Sequence, residues 1–274
     1  MKSFTAPAKL NLSLRVLGKR TDGFHEIDTL MVQLPDLYDI LTFEEADQFS
    51  FCCDDPAVPS DETNLVVKAV HAFEESTHLR CDFRISLKKI IPHGAGLAGG
   101  SSDAATTLTA LNDLHGGPLD CAALSRIAAR LGSDIPFFLG REPARCTGRG
   151  EIISPVPAIP PIHVLLLKPS FAVSTPDAYG RWHDASPLAG VSYQPIDFPW
   201  GQLVNDLELP VFRKHRFLAE LKQWLLDCGV PALMSGSGST VFAILRPTAD
   251  ADPLAAAARE QLDPTLWSWA GTTG

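Results

Sequence analysis

Several things are scarce in this 274-residue chain, and each scarcity narrows its function. No apolar run approaches the ~20 residues needed to cross a bilayer; the most apolar, 162–167, has the length of a strand. The opening MKSFTAPAKLNLSL has no signal-peptide apolar block, so the expectation is a mature, cytoplasmic protein without membrane attachment. Six cysteines form no CxxC pair, which argues for reduced thiols and against a structural zinc site. No Lys/Arg cluster offsets the net charge of −9, so a nucleic acid partner is not expected. There is no GxxxxGK[ST] phosphate loop, and neither HRD nor DFG occurs, which excludes P-loop enzymes and protein kinases. There is also no internal repeat and no low-complexity tail.

What is present begins at residues 91–106, IPHGAGLAGGSSDAAT. Four glycines fall between 94 and 100, so the backbone there can close on a ligand. The following SSDAAT opens a helix, predicted over about 101–114, whose first N–H groups and positive dipole end point back at the loop. Together they make an anion site, most often one for phosphate. Gly94, Gly96 and Gly99 match the dinucleotide pattern GxGxxG, but Pro92 interrupts the approach. A second predicted helix at about 120–131 stands where a returning strand is required, so the dinucleotide reading fails.

Around this loop the chain alternates strands and helices without regular βαβ order, which predicts an α+β fold. Residues 8–16 alternate cleanly: Leu10, Leu12, Leu14 and Val16 on one face, Lys9, Asn11, Ser13 and Arg15 on the other. That period places Lys9 and Asn11 side by side, facing away from the core. Further strands are predicted at 27–34, 39–43, 49–53, 83–88, 163–168 and 240–245. Helices are predicted at 64–75, 175–183, 211–227 and 253–262. The Pro-rich 154–163 is the natural boundary, giving lobes of 1–158 and 159–274.

Individual residues stay open at this level. Lys9 on a polar strand face is ordinarily a solvated lysine. Asp134, in GSDIPFFLG, reads as a turn or cap residue or as a carboxylate placed to accept a proton. Phe24-His25 follows an Asp-Gly turn and either stacks on a base or packs the turn. Asn205-Asp206-Leu207-Glu208 reads as a loop with polar caps.

The ordered set PAKLNL, DGFHEIDTL, IPHGAGLAGGSSDAA, GSDIPFF, NDLE and MSGSGSTVFAI resembles the GHMP kinase superfamily, over about residues 4–245. The resemblance implies a ribosomal-protein-S5-like N-terminal lobe, a ferredoxin-like C-terminal lobe and a cleft between them. It implies an ATP-dependent small-molecule kinase using Mg2+, as a monomer or homodimer. PAKLNL, DGFH and GSDIPFF narrow it to members whose acceptor is a cytidine-diphosphate polyol of isoprenoid precursor synthesis. By motif position Lys9 and Asp134 would be the catalytic pair. The ATP would lie against Lys88 or Lys89, Pro92, and the run Gly94, Ala95, Gly96, Leu97, Ala98, Gly99, Gly100, Ser101, Ser102 and Asp103. Asn11, Phe24, His25, Thr175, Pro176 and Tyr179 would contact the cytidine-diphosphate end of the acceptor. Gly236, Ser237 and Gly238 would brace the site from the second lobe. No ligand set is assigned to the metal. Three positions depart from the family pattern: Phe24 replaces Tyr, Ser237 replaces Thr, and Ala98 replaces a glycine, which requires a negative φ or tolerated strain there. A superfamily kinase acting on mevalonate, homoserine or a sugar is the alternative. A non-catalytic member would be expected to lack Lys9 or Asp134, and both are present.

Overall fold

The structure, a computed structural model, describes residues 1–246 and 251–274. It opens with two long antiparallel strands, β1 (Lys2–Lys19) and β2 (His25–Glu45), joined by a turn at 20–24. The two strands expected at 27–34 and 39–43 are one continuous β2. Pro35 does not interrupt it because the register skips from Leu34 to Tyr38, and the missing N–H falls in that irregularity.

β3 (Ser50–Cys53), β4 (Phe83–Lys88), β5 (Ala144–Gly148) and β6 (Ile152–Pro155) extend this sheet. Helices α1 (Leu65–Thr77), α2 (Gly99–Leu114) and α3 (Cys121–Leu131) pack over it through an apolar core that includes Phe43, Phe73, Ile85, Leu108 and Leu111. Asn64 caps α1 by accepting from the Val66 N–H at 2.8 Å, and Asp120 caps α3 through the Ala123 N–H at 2.7 Å.

The second sheet runs β10-β11-β7-β12. It consists of β7 (His163–Lys168), β10 (Ala232–Met234), β11 (Val241–Leu245) and β12 (Trp267–Thr272). α4 (Thr175–Gly180), α5 (Glu208–Lys214), α6 (Arg216–Asp227) and α7 (Ala251–Gln261) accompany it. The helix expected at 211–227 is two, because His215 leaves helical geometry with φ −118° and ψ 72°. The chain then does something its order does not suggest: β8 (Ile196–Phe198) and β9 (Gly201–Asn205) return to the first sheet, where β9 runs parallel to β1. The fold is α+β, with the two sheets meeting at a cleft.

Candidate active site

The glycine loop reaches α2 through left-handed backbone at Gly94 (φ 63°), Gly96 (φ 75°) and Ala98 (φ 55°). Gly96 is also needed for space, since a Cβ there would sit 2.2 Å from the Ser235 carbonyl oxygen. Ala98 holds the strained alternative rather than a negative φ, as the residue preceding the first turn of α2. The first turn of α2 then presents N–H groups with no intrahelical partner.

Lys9 does not face solvent. It is 3% exposed and Asn11 2%, because the glycine loop and the 235–238 loop of the second sheet cover that face of β1. The alternation at 8–16 correctly separates the two faces, but both are covered. Lys9 Nζ donates to Asn11 Oδ1 at 2.5 Å and to the Gly96 carbonyl at 2.9 Å. The Asn11 amide is oriented by its own donation to Thr29 Oγ1 at 2.7 Å. Asp134 Oδ2 stands 4.0 Å from Lys9 Nζ, with a side chain 33% exposed. Burial pulls the Lys9 ammonium below the usual lysine range, and Asp134 and Cys146 work against that pull. A carboxylate reachable from the cleft and beside a buried ammonium can receive a proton from a hydroxyl brought to it.

A cleft of about 740 Å³ gathers these groups. It is lined by Lys9, Asn11 and Asp134, by Lys89 and Pro92, by residues 94–101, by Asp103, and by Gly236, Ser237 and Gly238. Phe24, His25, Thr175, Pro176 and Tyr179 line it as well. His25 and Tyr179 have ring centroids 5.2 Å apart, and Thr175 Oγ1 and Ser237 Oγ share a hydrogen bond of 2.8 Å. Burial, followed by the charge of Lys19, moves His25 below the usual histidine value.

Two expected residues stand elsewhere. Lys88 is exposed and does not line the cleft, because Leu87 before it is buried and strand alternation turns Lys88 outward. Lys89, past the strand end, turns inward instead. It is ion-paired to Asp39 and lies 2.9 Å from Asp103 Oδ2. Ser102 is fully buried beneath the loop, with its Oγ unpartnered. Asp103 Oδ1 is also unpartnered. Burial raises the Asp103 carboxyl to about 7, with Asp39 adding to the rise and Lys89 opposing it. Among the described residues no group of three or more His, Cys, Asp or Glu side chains is arranged to hold a metal.

Several lining residues carried no signal strong enough to single them out. Arg149 holds its guanidinium 4.7 Å from the centroid of the Phe24 ring. Its Gly148-Arg149-Gly150 context marks a turn between β5 and β6, which could have pointed to it. Pro59, Asn64 and Leu65 line the wall beside the start of α1. Asp39 is fully buried and does not itself line the cleft; it accepts from the Ile90 and Ile91 N–H groups and pairs with Lys89, some 50 residues away in sequence.

Comparison with known proteins identifies the family and the fold. The N-terminal domain of the GHMP kinases matches residues 64–141 and their C-terminal domain residues 194–263. A 4-diphosphocytidyl-2-C-methyl-D-erythritol kinase of Methylacidiphilum infernorum is 45% identical over 244 residues, covering 87% of this chain and 84% of its own length. The kinase of the same name from Syntrophotalea carbinolica is 38% identical over 274 residues, covering 97% and 96%. A solved 4-(cytidine 5'-diphospho)-2C-methyl-D-erythritol kinase superposes with a TM-score of 0.81 at 35% identity, covering 100% of this chain and 99% of that one. A homoserine kinase of Cytophaga hutchinsonii shares the fold at a TM-score of 0.67 and 18% identity, over 99% of this chain and 94% of its own. With identity of this level along nearly its whole length, the chain belongs to the 4-diphosphocytidyl-2-C-methyl-D-erythritol kinase family of the GHMP kinases and is an ATP-dependent small-molecule kinase.

Proposed function

We propose that this kinase transfers the γ-phosphoryl group of ATP to the 2-hydroxyl of 4-diphosphocytidyl-2-C-methyl-D-erythritol. The products are the 2-phosphate and ADP, and the reaction serves the non-mevalonate (methylerythritol phosphate) route to isoprenoid precursors. The observation that carries the reading is the Lys9–Asp134 pair, 4.0 Å apart in a cleft that also holds the glycine loop and the Phe24, His25, Tyr179 and Arg149 group. We take residues 1–158 and 159–274 as the two lobes, with β8 and β9 reaching back across.

Phosphoryl transfer asks a protein for positioning and charge neutralisation rather than covalent help. Asp134 accepts the proton of the acceptor hydroxyl as its oxygen bonds to the γ-phosphorus and the bond to the ADP oxygen breaks. Lys9, 4.0 Å from the Asp134 carboxylate, lies where charge on the transferred group needs compensation. The loop 94–101 and the N-terminus of α2 hold the ATP phosphates. Phe24 and Tyr179 supply aromatic faces for the cytosine, and His25 presents a neutral imidazole to its polar edge. Arg149 places a cation where the acceptor diphosphate would lie. Asp103 would hold Mg2+: its Oδ1 has no hydrogen-bond partner and its residue borders the cleft beside the phosphate loop. Bound with ATP, Mg2+ supplies charge neutralisation of the phosphates.

The test is ADP release with a panel of acceptors. The cytidine-diphosphate polyol should far exceed mevalonate and homoserine, and equal turnover on all three would refute the acceptor assignment. Asp134→Asn should lower kcat by ~10²–10⁴ without loss of folding, the range for a general base.

A further inference from the structure

The Asn205-Asp206-Leu207-Glu208 stretch does more than cap a loop. Asn205 is the last residue of β9 and pairs with Leu14 of β1, so its backbone belongs to the first sheet. Its side chain reaches the second. Nδ2 donates to the Met234 and Gly236 carbonyls, both at 2.7 Å, while Oδ1 accepts from the Leu207 N–H at 2.9 Å. Asp206 ties the same stretch to β1 by accepting from the Val16 N–H at 2.9 Å and from Arg15 at 3.0 Å. Glu208, 2% exposed, accepts from the Met234 N–H at 3.0 Å and from Lys222 Nζ at 2.5 Å. Both backbone groups of Met234 and the carbonyl of Gly236 are thus held by two side chains of one tetrapeptide.

The loop held in this way touches the centre of the cleft. Ser235 Oγ donates at 3.0 Å to the Gly96 carbonyl, the same oxygen that receives Lys9 Nζ. The Thr240 N–H donates to the Ala95 carbonyl at 3.1 Å. A Cβ on Gly236 would lie 3.2 Å from Lys9 Nζ and 3.3 Å from Asn11 Oδ1. A buried Glu–Lys pair is weak as a source of stability, since apolar residues of similar volume often serve as well. Here it supplies something an apolar pair could not, an acceptor aimed at the Met234 N–H.

We infer that Asn205 and Glu208 are positioning residues for phosphoryl transfer: they seat the Ser235–Gly238 loop on Gly96 and so fix the place of Lys9 and the phosphate loop. The inference rests on the reading of Lys9 given above. A small misplacement at a reacting centre can lower a rate by ~10². Asn205→Asp preserves shape and the acceptor for Leu207 but removes both donors. It should fold, lower kcat by about tenfold to a hundredfold, and leave the acceptor KM within about threefold, because the base-facing residues are untouched. A residue that only held the fold together would lower the melting temperature and leave kcat of the folded enzyme at the wild-type value; that result overturns the inference. If Asn205→Asp does not fold, Ser235→Ala decides. It removes the loop's own bond to Gly96, and an unchanged kcat there overturns the inference equally. Lys9→Met is measured beside them. If Lys9→Met keeps wild-type kcat, the reading of Lys9 fails; if it is inactive while the loop variants keep full kcat, the positioning role fails alone.

Discussion

Lys9 works in a setting that no surface lysine has. Desolvation lowers its proton affinity relative to the ordinary 10.5, and the Asp134 and Cys146 charges restore part of it. If the protonated amine is the working form, kcat/KM should fall as pH rises through the lowered value, giving an alkaline limb below 10.5 in a pH–rate profile. A limb at or above 10.5 would contradict the buried-ammonium reading. Asp103 behaves in the opposite direction. Its carboxyl is raised from 3.8 to about 7 by burial and by Asp39, against the pull of Lys89, so the folded state binds its proton more tightly than the unfolded chain. The favourable contribution is complete below 3.8 and is lost as pH rises towards 7. The stability of the wild type relative to Asp103→Asn should therefore decline across that interval in urea titrations. The sequence motifs could mark Lys9 and Asp103 as candidate site residues. They could not show that either is buried, nor that Lys89 rather than Lys88 turns inward, because both depend on what covers the strand ends.

At the scale of elements, local pattern and local chemistry mostly agreed. β4, β7 and α3 lie where alternation, helical spacing and capping residues put them. Agreement failed where one residue overrode its neighbours: Pro35 was absorbed by a register shift in β2, and His215 divided a helix. The short strands β8, β9 and β10 were unreadable, since three to five residues carry too little periodicity. The glycine loop makes two predictions. Gly96→Ala should abolish activity and destabilise the protein, because the new methyl meets the Ser235 carbonyl at 2.2 Å and the backbone is left-handed. Ala98→Gly should be neutral or stabilising by up to ~1 kcal/mol in denaturant midpoints: it relieves φ 55° but adds freedom to the unfolded chain.

Across the whole molecule the cleft exists only because two sheets distant in sequence are locked together. β9 joins β1, Asn205 reaches from β9 to Met234 and Gly236, and Gly274 N–H donates to the Gln33 carbonyl at 3.1 Å. A ligand that fills such a cleft binds the folded state alone. Saturating ATP should raise the melting temperature, by the equivalent of ~2.7 kcal/mol at a hundredfold excess over Kd. Absence of any shift would mean that the folded protein does not bind ATP. The sequence by itself determined the α+β class and the glycine loop with its helix, because each is encoded by spacing within a short segment, while its resemblance to the GHMP kinases pointed to a further share of the residues that line the cleft. Only the tertiary structure decided that Lys9 and Asn11 are buried, that Arg149 belongs to the cleft, that Asp39 lies buried against Lys89, and that Asn205 and Glu208 hold the loop beside Lys9. Those facts depend on which segments meet, and burial, proton affinity and hydrogen-bond partnership are properties of the meeting rather than of either segment alone.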